Sequence, residues 1–168
     1  HDLIKIDKIT LEVVEIMSDY YSINTYGYEA YRQNTPGKNV ILFPVKQTSS
    51  SQWELRIYDL NMNYSGSYTL SSGSFGYDFE NIIVYKDNSF IVSAIDSSGF
   101  KLLEIDHSGN LINSTYVTDQ DVFASSQVII DNVLYFRVYD FDYNVSSAFS
   151  YDINTFELLE IGNIIITS

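Results

Sequence analysis

Short runs of apolar residues alternate with polar turn segments along the whole chain. The runs are rich in Ile, Val, Leu, Tyr and Phe, as at 40–45 and 89–95, and turn formers separate them at 71–73 and 107–110. No stretch keeps an apolar stripe at helical spacing over a dozen residues, whereas short β-branched and aromatic runs bounded by turn formers are typical of strands. The pattern predicts an all-β protein.

One hairpin pattern recurs four times: a strand ends in Asp, a short polar turn follows, and a second strand begins. Asp7, Asp59, Asp106 and Asp152 mark the register and lie 52, 47 and 46 residues apart. Such recurrence favours one repeated structural unit, with the aspartates capping its turns. Two further strand-like runs precede each of the last three hairpins, at 28–33 with 39–46, 79–85 with 89–95, and 126–130 with 132–139.

Each complete unit is therefore predicted to hold four antiparallel strands. A unit of about 47 residues has the size of one blade of a β-propeller, in which neighbouring sheets cover each other's faces. Such burial explains why the run at 40–45 is continuously apolar. A β-sandwich is the alternative architecture. The predicted single domain, 1–168, divides into a hairpin at 1–17, repeats at 18–70, 71–117 and 118–162, and a terminal strand at 163–168.

The hairpins at 3–16, 100–117 and 148–161 resemble the outer hairpins of propeller repeats in secreted bacterial and archaeal proteins. The likeness lies in the order of strand, Asp, turn, Gly-Asn or Thr, and strand. The chain has neither the Trp-Asp signature nor the paired glycines of better-defined propeller subfamilies. The resemblance implies an architecture and carries over no activity.

The repeat is out of phase with the chain ends. The chain opens with the third and fourth strands of one unit and closes with residues for one more strand. Three interpretations stay open: a piece of a longer propeller, chains that complete one another by strand exchange in an oligomer, or repeats stacked as a sandwich or solenoid. The apolar segment 164–168 would suit donation to a neighbour's open sheet edge.

The charge and composition of the chain limit the classes of partner that it can bind and the kinds of chemistry that it can perform. With 22 acidic and 9 basic residues, the net charge is −13, so the chain would repel nucleic acid and anionic lipid surfaces. The apolar runs are too short to span a membrane. There is no cysteine, and His1 and His107 are the only histidines, which argues against thiolate, triad and multi-histidine zinc chemistry. We expect no catalytic residues and no obligatory cofactor.

Three Asn-x-Ser/Thr sequons begin at Asn63, Asn113 and Asn144. A composition this rich in Asn, Ser and Thr produces such triplets by chance, but they also permit N-glycosylation of a secreted protein. We keep glycosylation as a hypothesis, together with an extracellular or cell-surface location.

Asp140 and Asp142, followed by Asn144, place oxygen ligands at alternate positions of one segment. Such ligands can converge on Ca²⁺. The pattern departs from a calcium loop at Val145 and Tyr151, where glycine and glutamate are needed. A polar turn is therefore the competing interpretation.

Tyr26, Tyr28 and Tyr31 crowd one segment, and Trp53 opens the next hairpin. Exposed aromatic rings can stack on sugars or anchor a protein partner. In a β-protein the same rings also serve as packing residues, so a ligand-stacking site requires that some of them be exposed.

The leading functional hypothesis is a non-enzymatic extracellular or cell-surface structural protein that associates with itself or with another surface protein. One alternative is a propeller segment that binds a glycan or peptide through its tyrosines. Another is a fragment of a propeller-type glycosidase or lyase whose active site is completed by blades absent from this chain. No acid and base pair can be placed across a cleft from these carboxylates, so no catalytic residue is nominated.

Overall fold

The structure, a computed structural model, describes residues 2–6, 10, 13–18, 40–46, 52–61, 63–73, 83–119, 122–140 and 146–164. Within these ranges the chain forms strands and turns and no helix. The predicted all-β class is confirmed. No helix long and apolar enough to cross a membrane occurs in these ranges either.

The strands form one hairpin and three larger antiparallel sheets, which we number first to fourth along the chain. The first sheet pairs β1 (Asp2–Ile6) with β2 (Val13–Ser18). The second contains β3 (Val40–Lys46), β4 (Trp53–Asp59) and β5 (Tyr64–Thr69). The third contains β6 (Ile83–Tyr85), β7 (Ser89–Asp96), β8 (Gly99–Asp106) and β9 (Leu111–Thr118). The fourth contains β10 (Val122–Ile130), β11 (Val133–Asp140), β12 (Ser146–Asp152) and β13 (Leu158–Ile164).

Strands that follow each other along the chain are neighbours in each sheet, as expected of a repeated meander. The second, third and fourth sheets lie within the units predicted at 18–70, 71–117 and 118–162, apart from one or two residues at the ends of β9 and β13. The strand predicted at 163–168 begins as the last part of β13, and the run at 28–33 lies outside the described residues.

Strands β7 and β8 of the third sheet are buried on both faces, whereas β9 at its edge is largely exposed. One face packs on the second sheet, where Phe90 and Val92 meet Leu42 and Leu55 in a shared apolar cluster. The residues that alternate with Phe90 and Val92 along β7 point to the other face of the third sheet, because successive side chains of a strand lie on opposite faces. This double burial explains why 89–94 is buried without a break.

The opposite face of the third sheet packs on the fourth. Leu102 of β8 belongs to a second apolar cluster with Leu134, Phe136 and Phe149. The Phe136 and Phe149 rings stack with their centroids 5.5 Å apart. The second, third and fourth sheets therefore stack face to face in chain order, with one apolar layer at each interface.

The backbones of the second and third sheets approach closely near their outer strands. A Cβ atom on Gly66 of β5 would overlap the backbone carbonyl of Ser108, and one on Gly109 would overlap that of Ser67. Only glycine fits at Gly66 without moving a sheet. Gly109 also has a φ of 90°, which favours glycine in the turn after β8.

Candidate interaction surface

Asp106 caps the turn between β8 and β9. Its Oδ1 accepts hydrogen bonds from the backbone N–H groups of Ser108 and Asn110, each at 2.8 Å, and its Oδ2 accepts one from Asn110 Nδ2 at 2.9 Å. Partial burial would raise the pKa of Asp106, but the hydrogen bonds from Asn110, Ser108 and Gly109 outweigh it and hold the pKa below its ordinary value.

Asp59 makes the equivalent contacts between β4 and β5. Its Oδ1 accepts the backbone N–H groups of Asn61 and Asn63 at 2.8 Å, and Asn63 Nδ2 donates to Oδ2 at the same distance. Two units of the repeat thus use the same turn, closed by an asparagine four residues after the aspartate.

Asp152 caps the turn between β12 and β13 with a different partner set. Its Oδ1 accepts the backbone N–H groups of Asn154 at 2.8 Å and Thr155 at 2.9 Å. These bonds from Thr155 and Asn154 lower the pKa of Asp152. The predicted capping role is confirmed at Asp59, Asp106 and Asp152, while Asp7 lies outside the described residues. Turn formation accounts for the recurrence of these carboxylates.

The two described sequon asparagines sit in different surroundings. Asn63 is exposed in the β4–β5 turn, and the Nδ2 atom that would carry a glycan donates to Asp59. Asn113 is half-buried in β9, where its Nδ2 lies 3.0 Å from Thr115 Oγ1 and 3.5 Å from the Tyr151 hydroxyl of the fourth sheet. Only the turn position offers a solvent-facing acceptor. Asn144 lies outside the described residues.

The structure does not describe the side chains of the predicted calcium ligands. Asp140 is the last residue of β11, its side chain is not described, and Asp142 lies outside the described residues. In the part of the chain that is described, no three His, Cys, Asp or Glu side chains group closely enough to hold a metal ion. Calcium binding stays a prediction.

Trp53 lies in the core between the second and third sheets and is only 7% exposed. Its ring is therefore a packing element, and no ligand on the surface can stack on it. Tyr26, Tyr28 and Tyr31 lie outside the described residues. Trp53 is thus excluded from the predicted ligand-stacking site, and that prediction now depends on the three tyrosines alone.

A buried polar junction, absent from the sequence predictions, ties the third sheet to the fourth. Glu104 of β8 is 3% exposed. Its Oε1 accepts a 2.6 Å hydrogen bond from Ser89 Oγ and lies 2.8 Å from Lys86 Nζ. Lys86 Nζ also donates to the Ile153 carbonyl of the fourth sheet at 2.9 Å and lies 5.4 Å from the centroid of the Phe156 ring.

A second group of polar side chains lies along the same interface. Asn113 of β9 lies opposite Glu104 of β8. Asn113 Nδ2 and Thr115 Oγ1 lie 3.5 Å and 3.3 Å from the Tyr151 hydroxyl. Glu104, Ser89 and Tyr151 are all buried, so these groups are closed to a substrate. The arrangement fixes how the two sheets meet. One sequence signal could have revealed it: Glu104 shares the inward parity of Leu102 within an otherwise apolar strand.

The fourth sheet differs from the third because its two faces are not equally covered. Leu134, Phe136 and Val138 of β11 point into the core. Tyr135, which lies between them in the chain, points to the opposite face and is only half-buried. The fourth sheet therefore presents a face that the other described sheets do not cover.

We call this surface the open face. Residues directly opposite each other in antiparallel strands share one face, and the ladder Val128–Tyr135–Ser150–Leu159 crosses all four strands. Ile130 and Val133 form the beginning of the next row, which continues to Asp152. Val128, Ile130 and Leu159 are each more than half exposed. The open face comprises Val128, Ile130, Val133, Tyr135, Ser150 and Leu159.

The second sheet is partly covered on its face away from the third sheet. On this face Glu54, Arg56 and Tyr58 are all buried, and Arg56 Nε lies 3.3 Å from Glu54 Oε2. On the same face Ile41 and Phe43 of β3 are half-buried and Tyr64 of β5 is 57% exposed. The open face is therefore one of several partly exposed surfaces of the described sheets. Comparison with protein families, with curated proteins and with solved structures finds no match for this chain.

Proposed function

We propose that this chain is a non-enzymatic structural protein of the cell exterior. In this proposal its four-stranded repeats stack in the manner of a β-propeller, and the open face of the fourth sheet binds another protein by sheet stacking. The observation that carries the proposal is the contrast between β7, which is buried on both faces over 89–94, and β11, where only the alternate residues Leu134, Phe136 and Val138 are buried among the described side chains.

The repeat itself supports a binding role for the open face. β7 and β11 correspond position by position, since each runs eight residues and ends in Asp, at Asp96 and Asp140. Ile91 of β7 therefore corresponds to Tyr135 of β11. Ile91 is fully buried against the fourth sheet, whereas Tyr135 keeps part of its surface in solvent. The position that the third sheet uses for stacking is left available in the fourth.

The composition of the open face also suits an interface. Fully burying an aliphatic side chain of this size contributes about 1.5–3 kcal/mol, and Val128, Ile130 and Leu159 each expose about half of their surface. Contiguous exposed apolar residues on a soluble protein mark interaction sites more often than scattered ones do. The net charge of −13 keeps such a protein soluble outside the cell.

The proposal is tested by measuring the mass of the full chain in solution over a wide range of concentration, by light scattering and sedimentation. We expect reversible association that is weakened by Val128→Asp, because that change places a charge on the open face. The matched control is Ile112→Asp on β9. Ile112 is 52% exposed and Val128 51%, but Ile112 lies outside the open face.

A chain that stays monomeric at every concentration would contradict the assembly function. Equal effects of Val128→Asp and Ile112→Asp would place the contact elsewhere and remove the open face from the proposal. Circular dichroism of both variants checks that the β-structure is retained, so a loss of association can be assigned to the surface.

A further inference from the structure

We infer that the turn between β12 and β13 is a strained clasp that fastens the fourth sheet to the third. We call residues 152–157 the clasp. Within it, Phe156 holds a backbone conformation that an aromatic residue disfavours, because its ring then covers the Lys86 ammonium and keeps water from the ion pair between Lys86 and Glu104. The clasp is a conformational device of the fold and does not depend on what the open face binds.

The first argument is the backbone of the clasp. In the third sheet the N–H group of the capping aspartate donates to the Asn110 carbonyl, and the residue before Asn110 is Gly109, with a φ of 90°. In the clasp the N–H group of the capping aspartate donates to the Glu157 carbonyl, and the residue before it is Phe156, with a φ of 64°. A positive φ is routine for glycine and strained for a bulky residue. Phe156 therefore stands where the preceding unit uses glycine.

The other residues with a positive φ show why Phe156 needs an explanation. Among the described residues that are not glycine, Asp131 and Asn132 share this conformation with it. Both have short polar side chains, which tolerate the conformation better than an aromatic ring does. Strain of this kind persists only where the surrounding structure imposes it. The contacts of the Phe156 ring must therefore offset the cost of its backbone.

The second argument is what the Phe156 ring touches. The ring packs on the apolar cluster between the third and fourth sheets, and its centroid lies 5.4 Å from Lys86 Nζ, within the range of attraction between an ammonium group and an aromatic face. The same Nζ atom donates to the carbonyl of Ile153, which also belongs to the clasp. Ile153 is buried, and its N–H group donates to the Asn132 carbonyl at 3.0 Å. The clasp thus brings both a carbonyl and a ring to one ammonium group of the third sheet.

The third argument is the exposure of the ion pair. The side chain of Glu104 is 3% exposed and that of Lys86 is 24% exposed, so water reaches the pair from the lysine side. The Phe156 ring lies beside that lysine. A pair that is shielded from water is stronger and less sensitive to salt than a solvated one. We therefore expect the ring to strengthen the pair as well as to pack on the apolar cluster.

Two substitutions of Phe156 test the backbone strain. Phe156→Gly and Phe156→Ala both remove the ring, but only glycine adopts the positive φ without strain. We expect the equilibrium constant for unfolding, measured by urea denaturation, to be about tenfold larger for the alanine variant than for the glycine variant. The matched control is Asn154, an exposed residue of the clasp that is not among those with a positive φ. At that position alanine should be the more stable of the two.

A double-mutant cycle tests the cover over the ion pair. Lys86→Met and Phe156→Gly are measured alone and together at low and high ionic strength. Lys86→Met should raise the unfolding constant at least about threefold less in the Phe156→Gly chain than in the parent. Salt should reduce the effect of Lys86→Met further in the Phe156→Gly chain and change it little in the parent. Phe156→Tyr keeps the ring and should behave as the parent does.

The control for the cycle is Leu158→Ala, because Leu158 packs on the same apolar cluster as Phe156. Its effect should add to that of Lys86→Met. Additive effects of Phe156→Gly and Lys86→Met, with the same salt dependence, would mean that the ring only packs and would overturn the clasp. Equal coupling at Leu158→Ala, or an alanine variant of Phe156 as stable as the glycine variant, would overturn it as well. If Phe156→Gly does not fold, Phe156→Leu keeps the apolar bulk and gives the same cycle with the same expected sign.

Discussion

Lys86 and Glu104 form an ion pair, with 2.8 Å between Nζ and Oε1, at the boundary between the third and fourth sheets. The same ammonium donates a 2.9 Å hydrogen bond to the Ile153 carbonyl of the fourth sheet. Glu104 is buried and its Oε2 has no hydrogen-bond partner among the described residues. The stack thus depends on one lysine to neutralise a carboxylate that water does not reach.

Replacing this lysine tests how strongly the junction holds the sheets. Lys86→Met keeps most of the side-chain volume but leaves the Glu104 carboxylate buried with Ser89 as its remaining described donor. Breaking a buried ion pair on one side costs about 3 kcal/mol, so we expect a loss of that size in the free energy of unfolding, measured by urea denaturation.

The double variant Lys86→Met with Glu104→Leu is the control for the pair. It removes the buried charge together with its partner, and such replacements are often close to neutral. We expect it to be more stable than Lys86→Met alone. A Lys86→Met variant within about 0.5 kcal/mol of the parent chain, the usual range for surface changes, would show that the pair contributes little.

The strands could be predicted because their signals are local. Apolar runs such as 53–58 and 89–94 are buried along their whole length. Asp59, Asp106 and Asp152 cap the turns that they were predicted to cap. The β10–β11 turn follows the same logic: Asp131 and Asn132 have φ angles of 49° and 65°, which short polar side chains tolerate.

The candidate surface could not be predicted because it depends on which sheet faces meet. The sequence places Glu104 in an apolar strand, but its partner Lys86 lies in a turn 18 residues earlier. The position of Lys86 is also fixed by the hydrogen bond that it donates to the Ile153 carbonyl of another sheet. Trp53 shows the same limit, because composition cannot distinguish a ring that packs from a ring that binds. The open face became visible only through the unequal burial of Ile91 and Tyr135.

The close approach of the second and third sheets makes Gly66 a sensitive position. Gly66→Ala would place a Cβ against the backbone carbonyl of Ser108, so one sheet must shift. Alanine is ordinarily no worse than glycine within a strand. We expect instead a loss of at least about 2 kcal/mol in the free energy of unfolding, in the range of overpacked sites.

The neighbouring substitution Ser65→Ala supplies the control for this experiment. Ser65 is exposed on the same strand, and its replacement should change stability by less than about 0.5 kcal/mol. A Gly66→Ala variant as stable as the parent would mean that the two sheets do not approach as closely as described.

The turn aspartates make stability dependent on pH in the acid range. The pKa values of Asp96, Asp106 and Asp152 are lowered in the folded chain. The folded state therefore binds protons less readily than the unfolded state at these sites. Their contribution is present above the unfolded pKa of about 3.9 and is lost as the pH falls through the folded values. Thermal unfolding measured from neutral pH to about pH 2 should show that loss.

Asp106→Asn assigns part of this dependence to one turn. The amide Nδ2 would face the Nδ2 of Asn110, which now donates to Asp106, so we expect a loss of about 1 kcal/mol at neutral pH. The difference from the parent chain should shrink on acidification, because the parent then loses the same charge. Asp119→Asn, at an exposed position, is the control. A difference that persists unchanged at low pH would exclude the carboxylate as its cause.

Tyr151→Phe tests the hydroxyl that joins the third and fourth sheets. The ring is buried and the substitution leaves its packing intact, but Thr115 Oγ1 and Asn113 Nδ2 lose the oxygen that lies 3.3 Å and 3.5 Å away. We expect a loss of about 1 kcal/mol in urea denaturation, since a donor at a sheet interface is left with fewer partners. Tyr116→Phe, on the exposed side of β9, should have no measurable effect. If both variants lost stability equally, the cost would come from tyrosine in general, and the hydroxyl bridge would not help to hold the sheets together.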